Sequence, residues 1–184
     1  MSSDAHLHEV KLDSELAYDG SFLKISRDTV RLPNGKETAR EYVNHPGAVV
    51  VLPVFDDGSI LMERQFRYPL NRVFIEFPAG KIDAGEDPLA CAQRELEEET
   101  GYTASEWQFV CTIHNAIAYS DEFLNLYLAR GLVEGERKLD DGEFLDIYRT
   151  SLPELVEGVK NGSITDVKTI IGIFWLKDFL LTGA

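Results

Sequence analysis

Nine residues from Gly47, GAVVVLPVF, form a near-continuous apolar run with no polar alternation. A strand with one face in water alternates apolar and polar residues, whereas an unbroken run of this length reads as a strand covered on both faces. Such a strand needs a layer of structure on each side of its sheet, so the chain is expected to be α/β or α+β, with a mixed sheet between helices. The other segments fit. SILMERQFR from Ser59 follows the turn Asp56-Asp57-Gly58, and VFIEFPAG from Val73 follows Pro69. WQFVCTI, FLNLYLARG and FLDIYRT read as later strands. Ahead of the apolar run, FLKISRDTVRL and ETAREYVN meet across Leu32-Pro33-Asn34-Gly35, and Asn-Gly is a strong hairpin signal. Residues 1–45 therefore read as an added antiparallel β element, and residues 46–184 as the main domain.

Helix signals are local and sharp. Asp87 suits an N-cap, Pro88 the first helical position and Gly101 the residue just past the end. Between them, Leu89, Ala92, Leu96 and Thr100 fall on one face. Ser151 and Glu154 have the spacing of a capping box, and Thr165 is placed to cap a last helix, DVKTIIGIFWLKDFLL.

The 184 residues carry a formal charge of −14, with 44% hydrophobic and 10% aromatic residues, which is a folding composition and not a disordered one. That charge argues against non-specific nucleic-acid binding, where each phosphate contact needs a cation. Cys91 and Cys111 are too few for a disulfide framework or a structural zinc site. The opening MSSDAHLHEVKLDSE has neither the basic nor the apolar region of a signal peptide. IIGIFWL ends at Lys177 and Asp178, short of the ~18 residues of a membrane span. A cytoplasmic protein is expected. His6 and His8 read as part of a disordered, solvated start.

Glu95, Glu98 and Glu99 sit at i, i+3 and i+4 of the predicted helix, so three carboxylates crowd one arc near its negative end. Arg94 offsets only part of this. A hard divalent cation with oxygen ligands would supply the missing charge, and Mg²⁺ suits a few carboxylates plus a substrate phosphate.

From Gly80 the chain reads GKIDAGEDPLACAQRELEEETGY. Gly80, Glu86, Arg94, Glu95, Leu96, Glu98, Glu99 and Gly101 resemble the Nudix box, G-x5-E-x7-R-E-U-x-E-E-x-G-U, with aromatic Tyr102 at the last, usually aliphatic, position. Seven fixed identities at about 7% usage each arise by chance on the order of 10⁻⁸ per window. The resemblance implies an α/β/α sandwich, homodimeric, hydrolysing the pyrophosphate of a nucleoside diphosphate linked to a further group. It implies metal ligation by Glu95, Glu98, Glu99 and the carbonyl of Ala79, with Mg²⁺ or Mn²⁺. Glu86 would pair with Arg94, and with Gly80 they would support the box.

Outside the box, HPGAVVVLP, ERQFRYPL, FIEFPAGKID, YSDEFLNLYLA, GEFLD and DVKT resemble the ADP-ribose and nucleoside diphosphate sugar pyrophosphatases. That branch implies an N-terminal element exchanged between subunits, and Arg67, Arg40 and Glu76 at the substrate. Tyr18 or Phe22 would stack on the base. A general base would come from KLDDGEFLD, where Glu143 fits best and Asp140 and Asp141 compete; Glu98 is the box's own catalytic candidate. HNAIAYSDE departs from the branch, with Asn115 and Ile117 where prolines are usual, which brings other nucleotide sugars in beside ADP-ribose. The alternatives are a hydrolase of nucleoside triphosphates or dinucleoside polyphosphates, and a sensor that binds without cleaving.

Overall fold

The computed structural model describes residues 4–139 and 141–182, which fall into two compact units. One contains the chain up to Pro46 together with Ala116–Glu122; the other contains Gly47–Asn115 and the chain from Phe123 onward.

In the first unit, β1 (Val10–Asp19), β2 (Lys24–Arg31) and β3 (Glu37–Asn44) form an antiparallel sheet in that order. The β2–β3 turn is the expected one: Asn34 Oδ1 accepts the Lys36 N–H at 3.0 Å, and Gly35 adopts φ +83°. The stretch around His6 and His8 is not a featureless lead-in. Ala5–Leu7 forms a 3-10 turn, and β1 starts at Val10. Every residue of β1 is exposed, Leu16 and Tyr18 included. The Ala116–Glu122 segment docks on the end of β3, where the Val43 N–H donates to the Tyr119 carbonyl at 2.9 Å and the His45 N–H to Asp121 Oδ1 at 2.7 Å.

The second unit has two sheets. One runs β7 (Ala79–Lys81), β4 (Ala48–Pro53), β9 (Leu124–Glu134), β8 (Tyr102–Ile113), with β4 and β9 parallel. The other is antiparallel: β10 (Leu145–Thr150), β5 (Ile60–Arg67), β6 (Arg72–Glu76). As its composition requires, β4 is buried at all six positions. Val49 and Val51 join Cys91, Ala92 and Leu96 of helix α1 (Pro88–Thr100) in one core. Val50 and Leu52 face the opposite way. They pack with Ile60 and Met62 of β5, Leu155 of α2 (Leu152–Asn161), and Ile173 and Leu176 of α3 (Val167–Thr182). Alternate residues of one strand thus hold together both layers of an α/β/α sandwich.

Two readings of the sequence change. VFIEFPAG is not one strand: Phe77-Pro78 divides it into β6 and β7, which lie in different sheets. The cap of α3 is Asp166, whose Oδ2 accepts the Thr169 N–H at 3.0 Å, and not Thr165, whose hydroxyl is engaged by Arg72 at 2.5 Å.

Candidate active site

The site begins with a well-capped helix. Asp87 Oδ1 accepts the N–H groups of Leu89 and Ala90, and Gly101 closes α1 in the left-handed region at φ +76°. Three turns between fixed ends place Arg94, Glu95, Glu98 and Glu99. Arg94 gathers the acids: Nε and Nη2 donate to Glu86 at 2.9 and 3.1 Å, and Nη1 to both Glu95 and Glu98 at 2.9 Å. Its Nη2 also reaches the Lys81 carbonyl at 3.3 Å, tying the loop to the helix. Glu86 is held down to about 2, chiefly by Arg94 and then by the Asp83 N–H.

Glu95 and Glu99 turn inward. Gly80 lies so close to the Glu95 carboxylate that a Cβ there would come within 1.9 Å of it, so a larger residue would push that carboxylate from its place. Glu99 is buried, and its Oε2 accepts the Ala79 N–H at 3.0 Å. Burial pushes Glu95 up to about 7 against the opposing pull of Arg94. Glu99 is pushed up strongly as well, by burial first and then by the charges of Glu63, Glu95 and Glu143.

A second cluster lies across β5 and β6. Glu76, 2% exposed, receives Arg67 Nε and Nη2 at 2.8 and 2.9 Å, and Lys168 of α3 also bonds it. Burial disfavours its charge, but Arg67 and Lys168 overcome this and hold it below the usual carboxylate range. Glu63 is its cross-strand neighbour in the β5–β6 register. Glu63 is fully buried, and neither carboxylate oxygen has a hydrogen-bond partner among the described residues. Burial and the Glu76 charge push it upward.

The predicted residues are thus distributed as follows. Ala79, Gly80, Glu86, Arg94, Glu95, Glu98, Glu99, Arg67, Glu76 and Glu143 all belong to the second unit. Glu143 is half-buried, and its charge raises Glu63, Glu95 and Glu99. Asp141 is exposed, and Asp140 lies outside the described residues. Arg40 belongs to the first unit, paired with Glu9 at 2.6 Å, and borders a cavity of about 270 Å³ lined also by Tyr42 and residues 117–121. Tyr18 and Phe22 are exposed. Sequence reasoning missed Glu63 and Lys168. A signal for Glu63 existed: it and Glu76 stand at equal distances from the Pro69-Leu70 turn, so a simple hairpin makes them partners.

Among the described residues, no three His, Cys, Asp or Glu side chains stand close enough to form a ready metal cage, since Arg94 draws Glu95 and Glu98 to itself. The donor chemistry nevertheless fits a divalent cation. The available ligands are all oxygen, the Glu95 carboxylate packs against Gly80 where a Cβ would displace it, and the oxygens of Glu63 have no partner among the described residues.

The α/β/α frame and the acids gathered around α1 are those of a Nudix hydrolase. The chain belongs to the Nudix family: the NUDIX domain model matches residues 44–167, and a nucleoside diphosphate sugar hydrolase N-terminal domain model matches residues 9–43. It is 40% identical over 173 residues to an ADP-ribose pyrophosphatase of Bacillus subtilis, covering 93% of this chain and 94% of that one. It is 39% identical over 171 residues to a methanol dehydrogenase activator of Bacillus methanolicus, covering 92% of each. A crystal structure of an ADP compounds hydrolase shares the fold, with a TM-score of 0.87 at 22% identity over 97% of both chains.

Proposed function

We propose that this chain hydrolyses the pyrophosphate bond of nucleoside diphosphate sugars, ADP-ribose among them, releasing a nucleoside monophosphate and a sugar phosphate. The observation that carries this reading is the group of acids Glu95, Glu99 and Glu63: Glu99 and Glu63 are buried with no ion-pair partner among the described residues, half-buried Glu95 shares Arg94 with Glu86 and Glu98, and Arg67 is held nearby. The two relatives are nearly equal in identity and differ in name, so the names alone do not choose; the name of the Bacillus subtilis protein agrees with the chemistry of the site. The chain keeps every box carboxylate, which non-cleaving sensors tend to lose.

Glu95, Glu98, Glu99 and the Ala79 carbonyl would hold Mg²⁺, or Mn²⁺ in its place. Bound there, the metal would offset the diphosphate charge and lower the pKa of a water. Arg67 would bind a diphosphate oxygen, oriented by the two hydrogen bonds from its guanidinium to Glu76. Glu76 thus enters through Arg67. Arg40 is proposed as a second substrate contact. Glu143 would take a proton from the water as its oxygen bonds to phosphorus and the bridging P–O bond breaks. Arg94, fixed by Glu86, holds the loop and helix in register.

We further propose a homodimer formed through the N-terminal element, since β1 leaves an exposed edge that a partner would cover. Light scattering at micromolar concentration should show a dimer; a monomer alone would contradict this. Two free cysteines, Cys91 buried, support work in the cytoplasm.

The test is a panel of ADP-ribose, ADP-glucose and GDP-mannose incubated with Mg²⁺, with products separated by chromatography. Nucleoside monophosphate should appear with at least one of them. Nucleoside triphosphates added to the panel serve as the contrast: their cleavage to nucleoside monophosphate and pyrophosphate, with none of the sugars cleaved, would replace this reading.

A further inference from the structure

Glu63 sits where a β-strand normally carries an apolar residue. Ile60, Leu61 and Met62 precede it on β5, all buried, and Glu63 is buried as completely as they are. A carboxyl at such a position is retained only if something bonds it. No side chain or backbone group among the described residues does. The nearby cations are committed elsewhere: Arg67 gives Nε and Nη2 to Glu76, and Lys168 bonds Glu76 and Asp166. The other charged groups that Glu63 feels are the acids Glu76 and Glu143, and Glu99 in turn feels Glu63. Both of its oxygens are thus left without a donor among the described residues, near enough to Glu99 for the two charges to oppose each other.

We propose that Glu63 is an additional oxygen ligand for a divalent cation, shared with Glu99 and lying outside the box helix. This rests on the proposed metal-dependent reading and deepens it. The cation would be a hard one, Mg²⁺ or Mn²⁺, since only oxygen donors are offered. One more carboxylate in the metal's surroundings would tighten its retention, and it ties β5 to α1 through the ion. A purely structural Glu63 would have no bearing on how much metal the protein holds.

The experiment titrates Mn²⁺ into the full chain, reading free Mn²⁺ by electron paramagnetic resonance and heat by calorimetry, for the parent, Glu63→Gln and Glu63→Met. Melting curves of each are recorded with and without Mn²⁺. Both variants should bind one Mn²⁺ fewer per chain, or bind at least tenfold more weakly. Glu63→Met should also melt at a higher temperature than the parent in metal-free buffer, since the orphaned carboxyl is gone, and should gain less on adding Mn²⁺. If both variants match the parent in stoichiometry and in affinity within twofold, Glu63 is not a ligand, while the hydrolase reading stands. If the parent itself binds no Mn²⁺, both readings fall.

Discussion

The two halves of the site carry acids of the same kind under opposite electrostatic conditions. On the box side, a single arginine, Arg94, serves Glu86, Glu95 and Glu98, and the group is partly open to solvent. On the β5–β6 side, Glu76 is paired with two cations, Arg67 and Lys168 (the latter shared with Asp166), and Glu63, its strand neighbour, with none. One side spreads too little positive charge over many acids; the other concentrates it on one acid and leaves the next bare. Between them lies Glu99, buried and deprived of any cationic partner in the described structure. The protein's own cations run out around Glu63 and Glu99, where the proposed outside cation would sit.

The largest effect should come from that midpoint. Glu99→Gln should keep the fold and cost several orders of magnitude in kcat on a nucleotide sugar, through loss of metal-borne stabilisation. Near-normal turnover would mean that the midpoint is not where the charge is needed. Next comes Glu143→Gln, for which steady-state kinetics should give a fall of about 10²–10⁴-fold in kcat with KM little changed, while Asp141→Asn costs under about tenfold. If Glu143→Gln stays active and Glu98→Gln does not, the base belongs to the box side of the comparison.

The β5–β6 side should respond differently. Arg67→Ala should raise KM roughly 10- to 100-fold, corresponding to a charge-assisted contact of about 1.5–3 kcal/mol. Glu76→Gln leaves Arg67 and Lys168 without their shared carboxylate and should lower unfolding stability by about 3 kcal/mol, measured in urea. The smallest effect is the acid response of the box. The pKa of folded Glu86 is depressed from 4.5 to about 2, so its contribution is present above about pH 4.5 and is lost as pH falls toward 2. Melting curves of Glu86→Gln should show a shallower loss of stability across that window than those of the parent.

The sequence made one side of the comparison far more legible than the other, for physical reasons. The box is local: the caps at Asp87 and Gly101, the i, i+3, i+4 acids and the partner Glu86 lie within 16 residues, so spacing alone places them. The Glu63–Glu76 pair needs a strand register, and Lys168 arrives from a helix 92 residues beyond Glu76. Composition cannot report that distance. The apolar run at β4 predicted two covered faces correctly, because burial on both sides leaves a mark at every position. The division at Phe77-Pro78 left one mark, Pro78, which cannot donate to a ladder, and the docking of Ala116–Glu122 beside β3 depends on backbone hydrogen bonds that no side-chain pattern encodes.

The central claim is that this site lacks a positive centre which a divalent cation supplies. It is tested most directly by stripping the protein of metal, offering ADP-ribose in excess chelator, and then titrating Mg²⁺ while AMP is quantified. The account predicts no AMP above background in chelator, and turnover that rises and saturates with free Mg²⁺. Full turnover in excess chelator would contradict it.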